Sequence, residues 1–406
     1  MTAGLVSAVP ASAATTADGN WWYTAYGVDA VHAEGWTGDG VTIAVIDGQI
    51  NPDLPDFADA DITVSDTTGC TNIPAETTEY SLSSSHGSTS VGLLVANGTG
   101  PSGLRGIVPD ARIIFYSNPT EEACDPNPAI AAADSDPAMW MIGQALDDGA
   151  DIISVSQNGG SPDGSATVAR AIAEQVPIVA GVTNDALNQG GGVPASLRGV
   201  VSVNAVDANQ RFLTTSTGLE NAVFDTTIVA PGNGVAVLGA NGSWDEFELA
   251  DGSSHATPLV AGILAAAMQK YPDATGNQLL QSLARNTGPE DHELAYDERG
   301  GYGYGVASLQ HVLRTDPSGY PDENIFLEHG AEVPDDEALA AAMAAVEATP
   351  PASDAPDAPD PGAADDGIAG IVLVVSIVGI VILAAVIILT IVLVRRSKNA
   401  HREGQS

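Results

Sequence analysis

Five short apolar runs, at 41–46, 111–117, 151–156, 177–182 and 200–206, punctuate the first half of the chain. Each is short and bounded by turn-forming residues, the pattern of strands buried on both faces. Longer stretches with helical spacing lie at 138–148, 164–175, 256–270 and 276–285. Strands alternating with helices predict an α/β domain, a mainly parallel sheet with helices on both faces. Residues 21–313, nearly 300 in all, suffice to bury one full core.

Polar residues break this pattern at telling places. Asp47 ends the run 41–46 and is followed at once by Gly48. In a parallel sheet, the position just past the carboxyl end of a strand is where ligands bind. His86-Gly87 follows a serine-rich loop, 81–85, and is expected to open a helix. Asn184 ends the run 177–182 and offers a side-chain amide. Ser254 lies in Gly252-Ser253-Ser254-His255-Ala256-Thr257-Pro258, a tight turn opening an apolar helix. Unpaired N–H groups at a helix start stabilise negative charge that develops beside them. Singly, each residue reads better as a turn former, a cap or a structural histidine. Together, in the order Asp, His, Ser, they point to nucleophilic catalysis.

These segments resemble the motifs of the subtilisin-like serine proteases, the subtilases. Val45-Ile46-Asp47-Gly48 resembles the Asp motif, His86-Gly87-Ser88-Thr89-Ser90-Val91-Gly92 the His motif, and Gly252 to Pro258 the Ser motif. Ile178 to Asn184 resembles the strand carrying the oxyanion amide; Val229-Ala230-Pro231-Gly232 and Tyr302-Gly303-Tyr304-Gly305 are supporting matches. The resemblance covers residues 21–313 and implies a subtilisin-like fold. It implies that Ser254 is the nucleophile, His86 the general base, Asp47 its orienting carboxylate and Asn184 an oxyanion donor. Substrate would lie along Ser156, Gln157, Asn158, Gly159 and Gly160, with a pocket between that edge and Ala180-Gly181. Gly190-Gly191-Gly192 suggests an open wall. Three departures stand out: Gln49 after Gly48, Ser90-Val91 where Val-Ala is common, and His255 where Met is frequent. Ser90 reads as a change of packing rather than chemistry. His255 cannot replace His86 as base, since adjacent helical residues point about 100° apart.

The remaining sequence differs in kind. Residues 314–366 read as an acidic Pro/Ala-rich linker; from Ala331 to Asp366 there are ten Asp/Glu, six Pro and no Lys or Arg. Its alanines allow a helical piece around 335–347. The segment 367–394 contains 27 consecutive uncharged residues, Ile368 to Val394. As a helix it would run about 40 Å, enough to span a bilayer. Arg395, Arg396 and Lys398 open a basic tail, 395–406, which the positive-inside rule places in the cytoplasm. At the other end, residues 1–13 read as the remnant of a signal peptide, with Ala11-Ser12-Ala13 as its cleavage site. A short extension, 14–20, follows. The expected localisation is therefore a bacterial cell membrane, single-pass, with the protease domain outside.

In an exported protein the two cysteines, Cys70 and Cys124, are expected to pair. Charge excludes another class of partner. Nine basic against 51 acidic residues precede the tail, a net of −42, so nucleic acid has no surface to bind. No Walker-type loop, internal repeat or metal-spaced Cys/His cluster is present. Calcium is common in the wider family, yet no clean ligand motif appears, and no cofactor is expected. The whole arrangement resembles the mycosins, membrane-anchored subtilases of type VII secretion. That resemblance implies protein or peptide substrates, the lipid bilayer and type VII secretion components as partners. It also keeps open a structural role with secondary or lost proteolysis.

Overall fold

The computed structural model describes residues 19–120, 124–185, 190–214, 218–297 and 301–348. The elements run α1 (Trp21–Ala25), α2 (Val28–Ala33), β1 (Thr42–Asp47), β2 (Ile62–Thr68), α3 (Leu82–Val95), β3 (Arg112–Ser117), α4 (Pro128–Ala132), α5 (Pro137–Asp147) and β4 (Ile152–Val155). They continue with α6 (Ala166–Ala173), β5 (Ile178–Gly181), β6 (Val201–Val206), β7 (Ile228–Pro231), β8 (Asn233–Ala240) and β9 (Ser243–Asp251). Four helices follow: α7 (Ser253–Lys270), α8 (Gly276–Arg285), α9 (Leu309–Val312) and α10 (Asp336–Ala348).

Strands β1 to β7 form one sheet in the order β2-β3-β1-β4-β5-β6-β7, every pair parallel. All five apolar runs become strands of it. Alternation along β1 divides the interior: Ile43 and Val45 join one buried cluster, Ala44 and Ile46 the other. The first cluster is filled by α3, α7 and α8, the second by α5 and α6. Asp47 has the same parity as Ile43 and Val45, so it faces the layer containing α3 and α7. Helix α7 is buried from Ser253 to Ala267, as a helix apolar on all sides must be. Because β1 lies between β3 and β4, the order reverses there and leaves a crevice at the carboxyl ends of the strands.

The structure corrects two readings. His86 does not open its helix: α3 starts at Leu82, where Ser81 and Ser84 form a reciprocal capping box. Nor does the folded unit end at residue 313, with a linker from 314. Phe326 is fully buried, Leu339 of α10 packs into the cluster containing α6, and Arg198 pairs with Asp336 at 2.8 Å. These apolar anchors, with backbone hydrogen bonds from the Arg198 N–H to the Val333 carbonyl and from the Ala331 N–H to the Ser196 carbonyl, hold down an acidic, proline-rich stretch. The anticipated helical piece is α10.

Cys70 and Cys124 are joined, with Cα atoms 5.3 Å apart. Among the described residues no helix is long and apolar enough to cross a membrane. The expected cleavage site within 1–13, the rest of the spacer to 366, the apolar segment 367–394 and the tail 395–406 lie outside the described residues.

Candidate active site

Asp47 is completely buried, and a buried carboxylate is tolerable only when its oxygens are bonded. Oδ1 accepts from the Gly48 N–H at 2.6 Å and from His86 Nδ1 at 2.6 Å. Oδ2 accepts from the Ser90 hydroxyl at 2.6 Å. His86 and Ser90 are four residues apart on α3, so one helical face delivers both to the same carboxylate. Ser90 is therefore part of the site's chemistry and not the packing change its place in the motif suggested. The i, i+4 spacing from His86 was the available signal.

With Nδ1 donating to Asp47, the imidazole presents Nε2 to the cleft, and its side chain is about a third exposed. The Asp47 charge holds the His86 pKa above the ordinary histidine value, outweighing the opposing effect of burial.

Ser254 stands in the first turn of α7 and is 9% exposed. Pro258, four residues on, has no N–H to offer the Ser254 carbonyl. The Ser156 hydroxyl, just past β4, donates to that carbonyl instead at 3.0 Å. The Ser253 N–H donates to Asn184 Oδ1 at 3.0 Å. That bond fixes the amide, leaving Nδ2 as the free donor. A methyl built on Gly252 would lie 3.2 Å from Ser254 Oγ and 3.3 Å from Asn184 Nδ2, so the turn brings the serine hydroxyl and the amide donor to one spot. Ser253 Oγ donates to the Val182 carbonyl, and Gly252 N–H to that of Gly232. Among the described residues no hydrogen bond joins Ser254 Oγ to His86, whose ring bonds Asp47. A change of serine rotamer moves the oxygen by about 2 Å.

His255 is buried beside this turn. Its Nδ1 donates to the Gly232 carbonyl at 3.2 Å, and its ring centroid is 6.4 Å from that of His86. Burial first, and the neighbouring His86 second, push its pKa down to about 4.

A cavity of about 400 Å³ opens beside Asp47 and His86, lined also by Gly48, Leu82, Ser83, Thr120, Ser156, Gln157 and Asn158 but not by Ser254 or Asn184. Gln157 is locked reciprocally to Asn118, and Asn158 Nδ2 donates to the Val182 carbonyl. Of the expected substrate edge, Gly159 and Gly160 are exposed but do not line this cavity, and Ala180 and Gly181 are buried in β5. A larger opening of about 470 Å³, around Trp21 and residues 207–214, contains neither Asp47, His86 nor Ser254. Among the described residues no group of three or more His, Cys, Asp or Glu is placed to hold a metal ion.

Comparison with known proteins gives the chain a class. Residues 38–305 match the model of the subtilase family, about two thirds of the chain. The chain belongs to the subtilase family, whose members are serine endopeptidases. It is 27% identical over 293 residues to subtilisin of Bacillus pumilus, covering 69% of this chain and 94% of that one. It is also 27% identical over 263 residues to subtilisin E of Bacillus subtilis, covering 63% of this chain and 62% of that one. Among solved structures, fervidolysin from Fervidobacterium pennivorans is similar in fold, with a TM-score of 0.56 at 22% identity, covering 75% of this chain and 47% of that one. The prenylagaramide maturation protease PagA gives 0.55 at 21% identity, covering 71% and 97%.

Proposed function

We propose that this chain is a membrane-anchored, extracytoplasmic serine endopeptidase in which Ser254, His86 and Asp47 act as a triad. Ser254 Oγ attacks the scissile carbonyl carbon while its proton passes to His86 Nε2. His86 then gives that proton to the leaving amine, and the acyl-enzyme is released by water through the same steps in reverse. Asp47 keeps the imidazole in its Nδ1–H tautomer and stabilises the imidazolium without taking the proton. The oxyanion is received by Asn184 Nδ2 and the Ser254 N–H. The chemistry requires no cofactor. The observation that carries the proposal is the Asp47 carboxylate, held by Gly48 and Ser90 and bonded at 2.6 Å to His86.

Anchoring through 367–394 and a mycosin-like place at a type VII secretion membrane rest on the apolar segment, its basic flank and the acidic spacer before it. A fluorophosphonate probe on the full chain tests the enzyme. Wild type and His255→Met should label, while Ser254→Ala and His86→Ala should not. Labelling of His86→Ala at the wild-type rate refutes the triad. Alkaline carbonate extraction of membranes tests the anchor: the full chain should stay in the pellet, and a chain ending at Asp366 should not.

A further inference from the structure

Among the described residues, the most exposed apolar side chain beside the catalytic groups belongs to Leu82, which is 77% exposed. Leaving a leucine in water forfeits the free energy its burial would supply, so its position matters. Leu82 is the first residue of α3 and lies four before His86, hence one turn away on the same helical face, roughly 6 Å between Cβ atoms. It lines the cavity that also contains Asp47, His86 and Ser156.

Leu82 is also held in place. The Ser81 capping box fixes the first turn of α3. Trp244 of β9 donates from Nε1 to the Thr78 carbonyl at 2.8 Å and packs edge-on against Tyr80, with centroids 5.5 Å apart. The segment leading into Leu82 is thus clamped to the β8–β9 hairpin, whose last residue precedes the nucleophile turn. A rigid apolar contact ordered before binding loses little entropy on complexation.

We propose that Leu82 determines specificity: it packs against an apolar side chain of the substrate one or two residues from the scissile bond. The proposal rests on the triad reading above and adds the class of residue preferred there. Leu82 touches no reacting atom and bears no part of the hydrolytic chemistry. Its neighbours in the cavity wall, Ser83, Thr120, Gln157 and Asn158, are polar, so among the described residues Leu82 is the apolar side chain able to discriminate there.

Quenched-fluorescent peptides, varied singly at the three positions on each side of the cleaved bond, would be assayed with the full chain and with Leu82→Ser. Wild type should favour Leu, Met or Phe over Ser or Asp by about 10- to 100-fold in kcat/KM at one position next to the bond. Leu82→Ser should lose that preference there and nowhere else, and Leu82→Phe should keep it. Hydrolysis of p-nitrophenyl acetate, too small to reach Leu82, should change less than about twofold in both variants. An unchanged preference in Leu82→Ser, or no apolar preference in wild type, overturns the proposal while ester hydrolysis leaves the triad standing. Absence of both ester and peptide hydrolysis in wild type overturns the triad reading as well.

Discussion

Replacing Ser156 by alanine would test how the nucleophile is held. The substitution removes the hydroxyl that serves the Ser254 carbonyl at 3.0 Å. Pro258 prevents the helix from supplying its own N–H in exchange. An orphaned buried carbonyl costs about 1–3 kcal/mol. Spread over a unit of this size, that lowers the thermal midpoint by roughly 1 to 4 °C. The effect on catalysis should be larger, because the same peptide unit bears the attacking oxygen, and small misplacements cost up to about 10²-fold. We expect kcat on a peptide substrate to fall between about 10- and 100-fold, with KM little changed. The decisive measurement is the double mutant. Pro258→Ala restores an N–H able to reach the Ser254 carbonyl, so Ser156→Ala/Pro258→Ala should recover much of the loss in both midpoint and kcat. An equal loss with and without Pro258→Ala, or a neutral Ser156→Ala, refutes the account.

Three further outcomes follow from the geometry. Because Asp47 raises the His86 pKa, and the base must be neutral, activity should rise with pH through a limb above the ordinary histidine value of about 6.5. In Asp47→Asn a kcat–pH profile should show that limb at lower pH, with kcat down by about 10⁴; an unmoved limb would contradict the assigned cause. His255 behaves oppositely. Its folded pKa of about 4 lies below the unfolded value, so the neutral form belongs to the fold. Stability is retained above about pH 6.5 and lost as pH falls toward 4, by about 3 kcal/mol. Denaturant midpoints of His255→Gln should show less of this acid loss than wild type; equal pH dependence would argue against it. Finally, Cys70→Ser/Cys124→Ser removes a cross-link closing 54 residues, worth about 4 kcal/mol in the chain-entropy model. An unchanged unfolding midpoint would show that the native state gains nothing from the bond.

The parts legible in the sequence share a physical reason. The five apolar runs are strands buried on both faces, and such strands announce themselves by composition alone. Strand β2, with Thr, Ser and Asp among its residues, and β9, Ser-Trp-Asp-Glu-Phe-Glu-Leu-Ala-Asp, do not. They exist because a neighbour pairs with them, and pairing leaves no hydrophobic trace. The start of α3 was missed because its box uses Ser84 at the third position instead of Glu or Gln. Average composition makes 314–366 look like spacer throughout, because it hides Phe326 and Leu339. At the site, strand ends and motif order make Asp47, His86, Asn184 and Ser254 legible as candidates. Ser90 as a donor to Asp47 and Ser156 as partner of Ser254 are not, since each role is defined by a contact across the fold.

That difference shows how the turn bearing Ser254 is built. Its amides, hydroxyl and carbonyl are held from three strand ends: Ser156 beyond β4, Val182 and Asn184 beyond β5, and Gly232 between β7 and β8. Even His255, next in sequence to Ser254, spends its Nδ1–H on the Gly232 carbonyl. Within the first turn, Thr257 Oγ1 donates to the Ser253 carbonyl. The Gly252 and Ser253 amides are donors that a helix start leaves unmet, and the Ser254 carbonyl is an acceptor that Pro258 leaves unmet. The turn's geometry is therefore a property of the parallel sheet, set by the register of β4 against β5 and transmitted through polar side chains. A one-residue slip in that register would move Ser156 to the opposite face. It would then release the Ser254 carbonyl while every motif residue kept its place in the sequence.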